Sequence, residues 1–173
     1  MHFLESSRHY FKMVPFVHEV AATIAAEYFN ELNFRNGLEQ RAFVLVTAGP
    51  GLTNTITAIA GAYLESRELL VIGGQVKTND LKSRKLRQRG IQEIDGISLT
   101  KSITKKSVRL KSNLLKNDIA GLIALSRADR KGPVFLELPL DLQAKEYPVT
   151  RIKKIKIVSA VSPSKNQIKS CLL

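Results

Sequence analysis

A chain of 173 residues with 44% hydrophobic composition and a formal net charge of +12 is long enough to close one ordinary domain around a sizeable core and too short for several. Its single cysteine, Cys171, excludes an internal disulfide framework, and no apolar run reaches the length of a membrane span. No basic-then-apolar leader follows Met1, which together with the missing disulfides points to the cytoplasm and to no membrane partner.

In chain order, residues 10–17 read first, as a strand. Val17, Val20, Ala21, Ile24, Ala25 and Tyr28 then recur at helical spacing, which predicts a helix over 17–30 with that apolar stripe on a core. Glu19 lies off the stripe, and Ala22, Thr23 and Ala26, one and two turns on, are small enough to admit a second surface. A carboxylate held between two packed faces is desolvated, which raises its pKa and favours a neutral form able to donate a proton or a hydrogen bond near pH 7. The same residue also reads as a first-turn acid stabilised by the helix macrodipole.

Ala42-Phe43-Val44-Leu45-Val46-Thr47 is a continuous apolar run of strand length, as in a parallel sheet covered on both faces. Gly49 and Gly51 admit backbone conformations that a side chain forbids, and Pro50 stiffens the turn between them. Thr53 or Asn54 caps the next helix, whose Ile56, Ile59, Ala60, Tyr63 and Leu64 face a core. Leu69-Leu70-Val71-Ile72 is the following strand. The result is a β-α-β unit with a glycine-rich turn at the carboxyl end of its first strand, where open α/β sheets place ligands. The turn matches neither G-x-G-x-x-G nor the lysine-containing phosphate loop, so a nucleotide phosphate is not its expected guest.

Residues 77–113 are mixed, with a short helix from Glu93 to Leu99 and a strand from Ile103 to Leu110. A helix over 116–129 capped near Asp118 and a strand over 133–138 follow, before the Pro139-Leu140-Asp141 turn. This alternation predicts an α/β fold, a doubly wound parallel sheet with helices on both faces. Ser164-Lys165-Asn166-Gln167 forms a capping box for a last helix carrying Ile168, Cys171 and Leu172.

Positive charge is concentrated late: residues 1–75 hold five Lys/Arg and seven Asp/Glu, and residues 76–173 hold twenty-two and eight. Lys77, Lys82, Arg84, Lys85, Arg87 and Arg89 make one cluster, and Arg151, Lys153, Lys154 and Lys156 another. Such clusters can neutralise nucleic-acid phosphates. Here they lack interleaved aromatics and any reader motif, so solvated loops or subunit contacts are the better reading. His2, His9 and His18 show no metal-ligand spacing. His18, beside Glu19, reads either as a structural histidine or as a hydrogen-bonding group near a ligand.

His18-Glu19, Thr47-Ala48-Gly49-Pro50-Gly51-Leu52-Thr53-Asn54, Ala62-Tyr63-Leu64-Glu65-Ser66, Val71-Ile72-Gly73-Gly74-Gln75-Val76, Gly90-Ile91-Gln92-Glu93-Ile94-Asp95 and Gly132-Pro133-Val134 resemble, in order and spacing, the pyrimidine-binding domain of thiamine-diphosphate-dependent enzymes. The acetolactate synthase group is the most similar, and the likeness runs over most of residues 2–145. This resemblance implies that Glu19 hydrogen-bonds a ring nitrogen of the thiamine aminopyrimidine, promoting the imino tautomer that deprotonates the thiazolium carbon. The cofactor then serves as electron sink for decarboxylation and carboligation of 2-keto acids. It implies that Pro50, Gly51 and Asn54 lie against the aminopyrimidine and that Gln92 approaches the reacting centre. It also implies that Arg130 contacts FAD, although Lys131 replaces the proline usual after that arginine. Val20, Glu68 and Ser102 are further departures: Val20 replaces a residue that is often polar in the family, and Glu68 and Ser102 stand where prolines are usual.

The same resemblance divides the chain into a pyrimidine-binding domain over residues 1–145 that lacks its first strand, a linker over 146–163, and the opening of a truncated central domain over 164–173. The family's diphosphate-binding domain, whose Gly-Asp-Gly and downstream asparagine hold Mg2+, has no counterpart, and Asp95-Gly96 belongs to another motif. The expectation is therefore half of a thiamine diphosphate site without its metal ligands, inactive as an isolated chain. A homodimer mate or a complementing chain carrying the diphosphate-binding domain would complete it. The alternatives are a non-catalytic remnant or dimerising module of the same fold and, more remotely, a basic nucleic-acid-binding domain.

Overall fold

Among the described residues the alternation of apolar runs with helical segments produces four strands that pair in parallel: β1 (Val44–Val46), β2 (Leu69–Gln75), β3 (Lys106–Arg109) and β4 (Pro133–Pro139), in the order β1-β2-β4-β3. The computed structural model describes residues 2–82, 86–111 and 116–145. Parallel neighbours need crossovers. Helix α3 (Pro50–Leu64) joins β1 to β2, and α5 (Lys116–Arg127) joins β3 to β4. Helix α2 (Glu19–Arg35) precedes β1, and the shorter α1 (His2–Ser7), α4 (Gly96–Thr100) and α6 (Leu140–Gln143) fill the ends.

Successive strand residues point to opposite sides, and both sides are covered. Val44, Val46, Leu69, Val71 and Phe135 meet Ala26 of α2 and Leu52, Ile59 and Ala62 of α3 in one core. Ile72, Val134, Leu136 and Leu138 meet Leu122 of α5 and Leu142 of α6 in the other. Every residue of β4 is buried, as a central strand between two helical layers requires. The fold is α/β, a parallel sheet flanked by helices on both faces.

Three local expectations are corrected. Residues 10–17 form no strand: the segment is irregular, and Tyr10, Val14 and Phe16 are exposed. A hydrophobic pattern supplies no ladder by itself; the segment's backbone pairs with none of the four strands, and Phe11 packs edge-on to Phe43 at 5.1 Å between ring centroids. The predicted run at 42–47 shortens to Val44–Val46 because Asn30 of α2 takes over Ala42. Its Nδ2 donates to the Ala42 carbonyl at 3.0 Å and its Oδ1 accepts from the Ala42 N–H at 2.7 Å. Helix α3 starts at Pro50 behind Gly49, not behind Thr53 or Asn54, because a proline's fixed φ is preset for a first helical position.

The expected burial of α2 on two sides is corrected to one. Its packed face is Thr23, Ala26, Glu27 and Asn30, while Val17, Ile24 and Tyr28 of the apolar stripe are exposed. Small residues let α2 lie close to α3 and the sheet, and the polar ones are satisfied: Thr23 Oγ1 donates to the Glu19 carbonyl at 2.7 Å, and Glu27 pairs with Arg67 at 2.8 Å. The inward face of α3 is likewise Leu52, Thr55, Ala58, Ile59 and Ala62, with Tyr63 and Leu64 turned outward. Helix α5 begins at Lys116, ahead of the expected cap at Asp118. The linker at 146–163 and the closing helix at 164–173 lie outside the described residues. No helix among those described is long and apolar enough to cross a membrane.

Candidate functional site

At the carboxyl end of β1 the chain must turn sharply into α3, and the glycines there serve two different needs. Gly49 has φ +63°, a left-handed conformation that costs a side chain, and a Cβ on it would stand 2.6 Å from the Gln92 carbonyl oxygen. Gly51 sits where a Cβ would meet Thr47 Cγ2 at 2.7 Å and Glu19 Oε1 at 3.6 Å. The turn is thus pressed between Gln92 on one side and Glu19 on the other. Pro50 between them is exposed.

Glu19 is the first residue of α2, set by the His18 cap, whose Nδ1 accepts from the Val20 N–H at 3.3 Å. Asn54, one turn into α3, donates Nδ2 to Glu19 Oε2 at 2.9 Å. No other side chain donates to that carboxylate among the described residues. The structure therefore brings together Glu19, Pro50, Gly51, Asn54 and Gln92. It does not bring Arg130 to them: its Nε donates to Ser66 Oγ at 2.6 Å and an ω-nitrogen to the Leu64 carbonyl at 3.3 Å. That is the far end of α3, roughly 20 Å from Pro50 along the helix.

The expected raised pKa of Glu19 is corrected to a lowered one. The Asn54 hydrogen bond is the main cause, the residue's own backbone N–H and the charge of His18 add to it, and slight desolvation opposes it. Glu19 continues the packed stripe of Thr23, Ala26 and Asn30 but is the first residue of α2, so the carboxylate projects past the end of the packed surface and stays solvated and ionised.

Two residues that sequence reasoning did not single out support the loop carrying Gln92. Glu137 of β4 is fully buried; Gln75 Nε2 donates to its Oε1 at 3.0 Å and Arg109 Nε donates to its Oε2. Burial pushes the Glu137 carboxyl above its ordinary value, against the pull of Arg109 and Gln75. A lone carboxylate inside Val134-Phe135-Leu136-Glu137-Leu138 was the available signal, since such a strand buries every position. Glu93, beside Gln92, accepts from the backbone N–H groups of Lys82, Arg89 and Gly90 at 2.6, 2.8 and 3.1 Å. Burial raises its pKa, but these three donors outweigh it and hold the group below the ordinary value. A cavity of about 100 Å³ adjoins the loop, lined by Leu81, Lys82, Glu93, Ile94, Asp95 and Arg109.

The donor set suits one edge of a flat, weakly basic heteroaromatic ring. An ionised carboxylate held on one oxygen by an amide can take a proton or a hydrogen bond on the other. Gly51, packed against Thr47, lies beside that oxygen, where a Cβ would stand 3.6 Å from it. Among the described residues no group of three or more His, Cys, Asp or Glu could hold a metal ion.

The family model for thiamine pyrophosphate enzymes, N-terminal TPP binding domain, matches residues 1–99, a stretch that contains Glu19, Pro50, Gly51, Asn54 and Gln92 but not Arg130. The chain is 33% identical over 156 residues to the mitochondrial acetolactate synthase of Schizosaccharomyces pombe, covering 90% of this chain and 21% of that protein. It is 34% identical over 140 residues to 2-hydroxyacyl-CoA lyase 2 of Homo sapiens, covering 79% and 20%. To the acetolactate synthase large subunit of Lactococcus lactis it is 35% identical over 133 residues, covering 75% and 21%. The chain thus spans about a fifth of the length of the curated relatives it matches.

Proposed function

Because the chain belongs to the thiamine pyrophosphate enzymes through their N-terminal TPP binding domain, we propose that it holds the aminopyrimidine of thiamine diphosphate on Glu19 within an acetolactate-synthase-like enzyme. In this reading residues 1–145 are the pyrimidine-binding domain, 146–163 a linker and 164–173 the opening of the next domain. A diphosphate-binding domain supplied by a second chain completes the site. When bound, thiamine diphosphate supplies the electron sink for decarboxylation and carboligation of 2-keto acids.

The observation that carries the reading is the 2.9 Å hydrogen bond from Asn54 to Glu19 across the Gly49-Pro50-Gly51 turn. Asn54 orients the carboxylate by holding Oε2. Glu19 keeps its other oxygen for a ring nitrogen, and that oxygen lies beside the Gly51 backbone. Covering this face with a ring and a second domain would desolvate Glu19 and raise its pKa, moving it toward the value at which it can share a proton. The carboxylate that is ionised in the open face thereby becomes a proton-handling group in the closed site.

The test is calorimetric titration of thiamine diphosphate and Mg2+ into this chain, alone and mixed with a separately expressed diphosphate-binding domain, followed by turnover of pyruvate. The mixture should bind the cofactor and decarboxylate pyruvate. Glu19→Gln should lower turnover at least ~100-fold, the scale of a lost general acid–base group, while leaving cofactor affinity within a few-fold. Absence of binding in both formats would overturn the reading.

A further inference from the structure

Gln92 has φ +59°, a left-handed conformation that a residue with a side chain adopts only when its surroundings impose it. We propose that Glu137, acting through Gln75, is a positioning residue that imposes it and so sets Gln92 against Gly49. The assignment rests on the cofactor reading only for its purpose, since Gln92 is the residue expected near the reacting centre; the geometry stands without it.

The relay runs inward from β3 and β4 to the loop. Arg109 Nε and Gln75 Nε2 donate to the two oxygens of the buried Glu137 carboxylate. The same Gln75 nitrogen donates to the Ile94 carbonyl at 2.8 Å, and its Oε1 accepts from the Val76 N–H at 2.9 Å. The amide orientation is therefore set, with oxygen toward Val76 and nitrogen toward Glu137 and Ile94. Two residues beyond Ile94, a Cβ on Gly96 would lie 2.7 Å from Glu137 Oε1 and 2.5 Å from Leu52 Cδ2, so the loop lies directly on the carboxylate. On the other flank Glu93 gathers the N–H groups of Lys82, Arg89 and Gly90. Gln92 lies between Gly90 and Ile94, in a turn closed by the Glu93 N–H donating to the Gly90 carbonyl at 3.2 Å, with its own carbonyl turned toward Gly49. Only a carboxylate serves at position 137, because it must accept on both sides; a glutamine there would face Arg109 or Gln75 with an N–H donor whichever way its amide turned.

The experiment is solution NMR of the full chain without cofactor. The HN–Hα coupling and the Cα and Cβ shifts of Gln92 report its φ, and the Gly49 amide shift reports the contact. In Glu137→Gln the Gln92 signals should leave the left-handed pattern and the Gly49 amide should shift, while the Glu19 and Asn54 signals stay in place. Gln75→Met, which keeps the Glu137–Arg109 pair and removes the Gln75 amide with its bonds to Glu137, Ile94 and Val76, should do the same and serves if Glu137→Gln does not fold. Gln92→Gly combined with Glu137→Gln should restore the Gly49 shift, because glycine occupies positive φ unaided; a purely structural Glu137 would not be rescued this way. Unchanged Gln92 coupling in either folded single variant, or no rescue, overturns the proposal. Since no ligand is present, this result and the cofactor titration can fail independently.

Discussion

The state of Glu19 depends on one neighbour more than on burial. With the carboxylate open to solvent, the Asn54 amide is the largest influence on its proton affinity and holds it below the ordinary value. Asn54→Ala should raise the Glu19 pKa toward that of an unperturbed glutamate, as read from the pH dependence of its carboxyl carbon shift by NMR. A titration identical to that of the parent chain would show that Asn54 does not govern the group. That these two residues, thirty-five positions apart, approach one place was implied by the resemblance, each through its own motif, but their hydrogen bond was not foreseen. The direction of the pKa shift was not legible either, because it depends on how far the packed surface reaches past the first residue of α2, which helical spacing does not set.

At the scale of elements, faces and ends proved harder to read than the elements themselves. Val20, Ile24 and Tyr28 outrank Ala22, Thr23 and Ala26 in hydrophobicity, yet close approach to α3 and the sheet selects the smaller side chains. Strand β1 loses its first residues to Asn30, a polar side chain that imitates a strand edge. Glu68, where a proline is usual, is another polar residue with an architectural task. Its buried carboxylate receives Arg41 on Oε1 and Arg127 on Oε2, the latter at 2.7 Å, tying the start of β2 to the loop before β1 and to the end of α5. Removing one member of a buried ionic group leaves the others uncompensated. Glu68→Leu should therefore lower stability by about 3 kcal/mol in urea unfolding. Breaking the exposed Arg8–Glu5 pair, at 3.7 Å, should cost less than about 1 kcal/mol. Equal midpoints for the two variants would remove Glu68 from this role.

For the whole molecule, the doubly wound sheet was legible because apolar runs of strand length alternate with helical spacing over most of residues 42–139. Of the candidate site, only the Gly49-Pro50-Gly51 turn at the carboxyl end of β1 was legible from the alternation itself; Glu19, Asn54 and Gln92 were implied by the resemblance. The network behind Gln92 was not, since it joins Gln75, Arg109 and Glu137 from three strands through side chains that no local pattern relates. These carboxylates give the domain a directional response to acid. Glu19, Glu31, Glu93, Asp95 and Asp141 are all held below their ordinary values, through hydrogen bonds from Asn54, Arg35, backbone N–H groups, Ser98 and Thr78 respectively. As pH falls, the unfolded chain takes up protons at these groups before the folded chain does, so their stabilisation is complete above the unfolded values and is lost through the lower folded ones. Glu137 acts in the opposite sense: raised by burial, it stays protonated where the unfolded chain is ionised, and its contribution declines as pH rises through that interval. Five lowered groups oppose one raised group, and protonation also enlarges a net charge that is already +12, which adds self-repulsion. The urea midpoint should accordingly fall steeply below about pH 4, where unperturbed carboxylates titrate. Glu137→Gln should remove the opposing contribution and steepen that fall, whereas a midpoint that rises on acidification would contradict the assignment of these carboxylates as ionised, hydrogen-bonded parts of the folded state.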